Sequence, residues 1–380
     1  MLRCLQQAVE IESPSQSKPD VDRMARFFAR EFKRCHGKVR ILDHKKAGSA
    51  VLADFFAPAG KRSTGKGPVR KGPARKGNDK PIMLLGHLDT VWDRGTLARM
   101  PFRIRGGRAY GPGILDMKSG IVCGLWAIRA LQALNLRPHS PVHFFLNSDE
   151  EVSSLAFRRE VLAEARRTGA VLVLEPAAAG GALKTARKGV GEFQITVRGR
   201  AAHAGIDPGS GVNAVSELAR QILRIESFAR PQRGLTLNVG VISGGTRTNV
   251  IPESASARID VRIPRWRDQE MIERKIRQLK PFHPQAQIEI RGGVNRPPME
   301  RVRAVTLYRI ARKLCREMGM ELAEAFTGGG SDGNFTAALG IPTLDGLGGV
   351  GDGAHALHEH VIVRELPRRA ALIAALLATL

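Results

Sequence analysis

The chain has 380 residues, 43% of them hydrophobic and 25% charged, close to ordinary globular usage. At roughly 100 to 200 residues per domain that length predicts about two domains with a substantial core, and it excludes a peptide-sized or disulfide-stapled fold. The formal charge is +24, from 60 Lys+Arg against 36 Asp+Glu, a balance that by itself would favour a polyanionic partner such as nucleic acid.

The placement of that charge tempers the inference. Residues 61–80, KRSTGKGPVRKGPARKGNDK, hold eight Lys/Arg against one Asp. The near-repeat KGPVRKGPARKG is too rich in Gly, Pro and like charge to bury a core, so it reads as a mobile, solvated surface loop. It also lacks the interleaved aromatics that stack on bases. Four scattered cysteines, Cys4, Cys35, Cys123 and Cys315, form no C-x-x-C pair; neither a cysteine zinc site nor a disulfide framework is predicted, and a reducing, cytoplasmic location is. The N-terminus, MLRCLQQAVEIES, has no long apolar core, and no run reaches the ~20 apolar residues of a membrane helix.

In chain order, residues 20–34 place Val21, Met24, Ala25, Phe28 and Phe32 on one helical face, and PIMLLGHL (81–88) is a short apolar run typical of a buried strand. Residues 119–134 are apolar on a helical period, and PVHFFLNS (141–148) and AVLVLEP (170–176) are continuous runs of strand length. Strand, helix, strand, helix, strand is the α/β pattern, in which functional side chains collect at the carboxyl ends of the strands. From residue 191 the pattern changes to β-α-β-β-α-β, the split βαβ arrangement of an independent domain of about a hundred residues inserted into a larger one. A helix around 303–318, a short strand in IPTLDGL and a closing helix from about 365 to 380 complete the chain. The predicted division is a first part of the larger domain at 1–186, the insertion at 187–294, and a second part at 295–380.

The strand termini carry the chemistry. The first ends Gly86-His87-Leu88-Asp89, where a carboxylate two residues from an imidazole can orient it; alone, H-x-D reads more readily as a hydrogen-bonded surface pair. Asp116 lies in GPGILDMKSG, a Gly-rich loop running into the apolar helix, where it could equally cap the helix. Asp149, Glu150 and Glu151 directly follow a buried strand, and adjacent carboxylates there favour a cation over a solvated face. Glu175 ends the next strand. Near the C-terminus, His355, His358 and His360 fall within six residues, a pattern that can also be an exposed turn. Together these are His, Asp, Glu, Glu and His above one sheet: nitrogen and oxygen ligands without thiolate, suited to Zn²⁺, with Mn²⁺ or Co²⁺ possible, and a bridging carboxylate suits a two-metal centre. The run Gly346 to Gly351 formally fits G-x-G-x-x-G, but no strand-turn-helix follows it, so a dinucleotide site is rejected.

GHLDT, GPGILDMKSG, NSDEE, LEP, RGRAAHAG, RTNVIP, TGGGSD and GAHALHE occur in the order and spacing of the M20 metallopeptidase family, and the set most resembles its glutamate carboxypeptidase branch. The resemblance covers nearly the whole chain. It implies an α/β zinc-peptidase domain interrupted by a ferredoxin-like (βαββαβ) lid that usually forms a homodimer. It implies two Zn²⁺, one held by His87, Asp116 and Glu175 and the other by Asp116, Glu151 and His355, with Asp89 as the partner of His87 and Glu150 as the general base. His355 is preferred to His358 because the family's ligand lies four residues before a Glu, here Glu359. His203 would stabilise the oxyanion, often across a subunit boundary, and Asn249, Arg262 and Arg296 would hold a substrate carboxylate. Gly329 and Gly330 would line the pocket with backbone donors that a side chain would obstruct. Two features depart from the family: the basic 61–80 insertion, and His358-Glu359-His360, where Asn or Asp usually precedes the Glu.

The implied function is dinuclear amide hydrolysis beside a free carboxylate, on a small substrate ending in a Glu-like residue or an N-acyl amino acid. The alternative within the family is a deacylase of the acetylornithine deacetylase or succinyl-diaminopimelate desuccinylase type. A non-enzymatic alternative, motivated by the charge, is a polyanion binder on a retired hydrolase scaffold; salt-sensitive DNA binding would mark it.

Overall fold

The computed structural model describes residues 1–57 and 80–380, so the predicted basic loop lies, except for Lys80, outside the described residues. The chain divides into two units. Met1–Thr185, Arg301–Phe326 and Ser331–Leu380 form the first, and Ala186–Glu300 with Thr327–Gly330 the second.

The first unit is built on a six-stranded sheet. Its strands lie side by side in the order Lys38–Leu42, Ala50–Phe55, Val142–Asn147, Ile82–His87, Ala170–Val173 and Thr343–Leu344. Successive pairs are antiparallel up to Val142–Asn147, and the last four strands run parallel. On one face Met83, Leu85, Phe145, Val171 and Val173 pack with Phe157, Val161 and Ala165 at the helix Arg158–Arg166. On the other lies the helix Ser119–Ala133, whose Ile121 meets Gly86 and whose Gly124 admits Phe144 and Leu174. Helices on both faces explain why these strands are continuous apolar runs.

The helix Lys18–Arg34 buries Val21, Met24, Ala25, Phe28 and Phe32 at helical spacing and carries Pro19 in its first turn, where a missing N–H costs nothing. A small antiparallel sheet of Arg103–Arg105, Arg108–Tyr110, His360–Ile362 and Gly351–Asp352 holds the turn that carries His355.

The second unit is an antiparallel sheet in the order Thr236–Gly244, Ser254–Ile263, Gly189–Arg198, Gln287–Arg296. Helix Ala214–Glu226 joins Gly189–Arg198 to Thr236–Gly244 and helix Trp266–Arg277 joins Ser254–Ile263 to Gln287–Arg296, giving the ferredoxin-like βαββαβ order along the chain. Alternation along the strands sends Phe193, Ile195 and Val197 into one core with Leu218, Ile225, Ile272 and Ile276 of the helices. No helix among the described residues is long and apolar enough to cross a membrane.

Candidate metal centre

In the first unit the parallel strands end at one edge, with His87 in register with Asn147. The residues just beyond them therefore converge. His87, 2% exposed, directs Nε2 at Asp116 Oδ1 (3.3 Å) and Glu175 Oε1 (3.5 Å). His355 directs Nε2 at Asp116 Oδ2 (3.4 Å) and Glu151 Oε1 (3.5 Å). Asp116 thus presents one oxygen to each histidine. Ligand atoms of His87, Asp116 and Glu151 lie within 4.8 Å of one another, as do those of His87, Glu150 and Glu175.

Three of these atoms, His87 Nε2, Asp116 Oδ1 and Glu151 Oε1, are buried without a hydrogen-bond partner. Orphaned buried polar atoms are costly, and here they are a nitrogen and carboxylate oxygens turned toward one another, a donor set that fits divalent cations. In the absence of metal the groups perturb each other strongly. Burial pulls the His87 imidazole down, but the carboxylates of Asp116, Asp89 and Glu175 around it outweigh that and hold it well above its usual value. The facing carboxylates of Asp116 and Glu151 raise His355 to about 10. Burial raises Glu151 to about 7 against the pull of His355, while Asp116, although buried, is held far below the carboxylate range by His355 and His87.

The supporting shell explains how the sequence holds these groups. His87 Nδ1 lies 3.0 Å from the Asp89 carbonyl and 3.4 Å from its carboxylate. That carboxylate, fully buried, also accepts the Ser15 hydroxyl (2.7 Å) and the backbone N–H groups of Glu150 (3.2 Å) and Glu151 (3.1 Å). Asp89 therefore fixes both the histidine and the Glu-Glu turn. Glu175 is placed by close backbone packing: a Cβ at Gly120 would stand 1.9 Å from Leu174 O and one at Gly348 2.2 Å from it, and Gly348 N donates to Glu175 O (2.8 Å). Only glycine permits such approach.

Asp116 does not cap the following helix. Helix Ser119–Ala133 begins without a side-chain cap, and the Asp116 backbone is extended at φ −110°, ψ 96° within a tight turn whose Asp116–Met117 peptide is cis. Its loop is gripped by Glu359. One Glu359 oxygen accepts Leu115 N (2.8 Å) and Asp116 N (3.0 Å), and the other accepts Gly113 N (2.9 Å) and Trp92 Nε1 (2.8 Å). Lys118, 1% exposed, ties the same loop to the N-terminal segment through the carbonyls of Pro112 (3.2 Å) and Ile11 (3.0 Å), and burial pushes its ammonium down to about 8. Sequence reasoning used Glu359 only as a spacing marker and passed over Lys118, Trp92 and Ser15. A lysine inside an apolar Gly-rich run was a signal for the first of these; the others depend on partners far away in the chain.

Two residues neighbouring the expected ligands face elsewhere. Asp149 does not join the metal-facing groups: its Oδ2 accepts Ala156 N (2.6 Å), and burial raises it to about 6. His360 points away, its ring 5.3 Å from that of Tyr110, whereas His355 sits exposed at left-handed φ of 63°, the kind of backbone conformation that clusters at functional sites.

The remaining expected residues lie in the second unit. His203 is in a loop, its Nδ1 accepting Gly205 N and Ile206 N (both 3.1 Å), and Asn249 O accepts Ala204 N (2.9 Å). Arg262 and Arg296 flank Val190 from the two neighbouring strands; Arg262 pairs with Asp260 at 2.8 Å. Gly329 and Gly330 offer their carbonyls to Arg187 Nη1, at 3.1 and 3.2 Å. A Cβ at Gly329 would meet nothing within 4 Å, so steric obstruction is not what selects glycine there within the unit.

The profile of peptidase family M20/M25/M40 matches residues 83–379. The chain belongs to that family. It is 33% identical to carboxypeptidase G2 of Pseudomonas sp. (strain RS-16) over 316 residues, 79% of this chain and 74% of that one. It is 28% identical to succinyl-diaminopimelate desuccinylase of Dechloromonas aromatica (strain RCB) over 305 residues, 76% of this chain and 80% of that one. The crystal structure of aminopeptidase PepT from Bacillus cereus ATCC 10987 shares the fold, with a TM-score of 0.77 at 20% identity over 99% of this chain and 97% of that one. This M20 chain is accordingly a hydrolase of amide bonds, which sets aside the non-enzymatic reading suggested by its charge.

Proposed function

We propose that the chain is a dinuclear metal-dependent carboxypeptidase, with Zn²⁺ as the preferred ion and Co²⁺ or Mn²⁺ as substitutes. The assigned substrate is a small amide with a free carboxylate beside the scissile bond. His87, Asp116 and Glu175 would hold one ion, and Asp116, Glu151 and His355 the other. The observation that carries this reading is Asp116, whose two oxygens face two different histidines at nearly equal distances. Ions bound there would supply Lewis-acid polarisation of the scissile carbonyl and a lowered pKa for the attacking water.

The chain's own residues then divide the work. Glu150 takes the proton of the attacking water and delivers it to the leaving nitrogen; its backbone is pinned by Asp89, and its place beside His87 and Glu175 supports the role. His203 stabilises the developing oxyanion, and Asn249, Arg262 and Arg296 hold the substrate carboxylate, with Gly329 and Gly330 lining the pocket. The lid assembles a homodimer. In support of this, the edge strand Thr236–Gly244 has a ladder partner on one side only and leaves Val241 and Ile242 more than half exposed; unpaired edges template association. Four unpaired, buried cysteines support a reducing, cytoplasmic location.

The relative named carboxypeptidase G2 supports the carboxypeptidase reading. The relative named succinyl-diaminopimelate desuccinylase supports a deacylase as the second. Hydrolysis measured over C-terminal-Glu dipeptides, pteroyl-glutamate, N-succinyl-diaminopimelate and N-acetylornithine, with and without chelator, tests both. The proposal expects chelator-sensitive turnover of the first two; turnover of the acyl substrates alone would establish the deacylase, and activity indifferent to chelation would overturn the metal centre.

A further inference from the structure

The first unit contains a second cleft, lined by arginines and apolar side chains. It has a volume of about 390 Å³ between the closing helix Glu365–Thr379, the turn after the helix Val305–Glu317 and the loop at Gly180, and three arginines, Arg364, Arg368 and Arg369, line it. Arg369 is 5% exposed, yet it has no carboxylate partner among the described residues. Its Nη2 donates to Gly181 O (2.6 Å) and Gly346 O (3.4 Å), and its buried Nε makes no hydrogen bond. A guanidinium stays protonated, and burying one without a counter-ion is strongly unfavourable.

The neighbouring charges do not supply that counter-ion. Glu365 is engaged by Arg368 at 3.0 Å and Arg364 at 3.5 Å, and Glu321 is exposed. With both carboxylates counted, the ionisable side chains lining the cleft still sum to +1. An adjoining depression shares Met320, Glu321 and Leu322 and adds Arg312 and Arg316, which raises the sum to +3.

We propose that this cleft is a binding site for a small anion, a carboxylate or a phosphate, which Arg369 anchors from within and Arg364 and Arg368 clasp at the mouth. Paired N–H donors of arginine match both planar carboxylate and phosphate oxygens, and the volume leaves room for the organic part of a metabolite. Gly181 and Gly346 belong to the loops that leave Glu175 and lead to His355, so the anchor also braces the backbone behind the metal centre.

The test is equilibrium dialysis of the full-length, metal-loaded protein against labelled inorganic phosphate and, separately, labelled glutarate. The expected result is one cleft-bound anion per chain, with affinity at least tenfold weaker in the Arg364→Ala/Arg368→Ala double variant. The tighter of the two probes identifies the head group. Arg369→Met is expected to abolish the site; if that variant does not fold, the double variant, altered only at exposed side chains, carries the test. Binding of neither probe, or equal binding by wild type and double variant, as for an anion held only at the metal centre, would overturn the proposal.

Discussion

Glu359 accepts a hydrogen bond from the backbone N–H of Asp116 at 3.0 Å, four residues after the histidine that faces the same aspartate from the other side. One short segment thus supplies both a metal-facing imidazole and the carboxylate that shapes the loop opposite it. Glu359 is fully buried, and burial raises its pKa against the pull of the N–H groups around it. Glu359→Gln would replace one accepting oxygen with a donor facing N–H groups. The expected outcome is a loss of metal affinity on the order of 10- to 100-fold, as for other residues that orient ligands, measured by competition with a chromophoric chelator. Trp92→Phe removes one bond of the four and should cost less. Equal affinities for Glu359→Gln and wild type would refute the bracing role.

Glu150 and Glu151 are adjacent but are assigned different work, and metal content separates them. Glu150→Gln should keep both ions while kcat falls by about 10² to 10⁴. Glu151→Gln should lower metal occupancy, and Asp116→Ala should lower it most, because both sites lose a ligand. Elemental analysis beside kcat decides; full metal loss in Glu150→Gln would make that residue a ligand instead.

Metal uptake should release protons in a pH-dependent number. Without metal His355, with a pKa of about 10, is held protonated at pH 8, and His87 is shifted in the same direction; a metal ligand must give that proton up. About one proton should therefore leave from His355 at pH 8, with up to about one more from His87. Glu151, raised to about 7, adds up to about one more as pH falls below 7. Calorimetric titration with Zn²⁺ in buffers of different ionisation enthalpy measures the number; a release that does not rise toward acid pH would contradict the Glu151 shift.

The parts of the fold visible in the sequence are those whose pattern is local. Ile82–His87, Val142–Asn147 and Ala170–Val173 are buried on both faces and so read as unbroken apolar runs, and the second unit declares itself by alternation. The strand Lys38–Leu42 escaped because it is a half-exposed edge of mixed composition, and Ala50–Phe55, its partner, has its apolar run interrupted by the half-buried Asp54. At the site, histidine and carboxylates at strand ends are legible because burial there needs a chemical reason. The grips of Glu359 on Gly113 and of Lys118 on Ile11 are not, since each joins residues that only the folded chain makes neighbours.

Glu217 makes the second unit acid-sensitive. Burial opposes its ionisation, but hydrogen bonds from Gln221 and from the backbone N–H groups of Phe282 and His283 prevail and lower its pKa below the ordinary 4.5. A carboxylate with a depressed folded-state pKa contributes stability that is present above the unfolded value and lost as pH falls through the folded one. The contribution should fade below about pH 4.5 and be complete at neutrality, at about 1 to 3 kcal/mol for a charge-assisted set. Glu217→Gln should lower the denaturation midpoint at pH 7 and narrow the gap to wild type near pH 3; a constant gap at both values would sink this account.

Gly348 and Gly328 provide a paired test of whether backbone packing or substrate access selects glycine around the site. A methyl group at Gly348 would stand 2.2 Å from Leu174 O and 2.8 Å from Glu175 O, both backbone atoms that cannot swing aside, while one at Gly328 meets nothing within 4 Å. Gly348→Ala must push the C-terminal loop off the segment Leu174–Glu175 that follows the strand Ala170–Val173, which predicts destabilisation of about 1 to 3 kcal/mol from overpacking together with weaker metal binding. Gly328→Ala should leave the denaturation midpoint within about 0.5 kcal/mol of wild type, so any fall in kcat/KM there reports on the substrate rather than the fold. If Gly348→Ala were as stable as wild type and bound metal equally well, the close approach at Leu174 could not be what places Glu175.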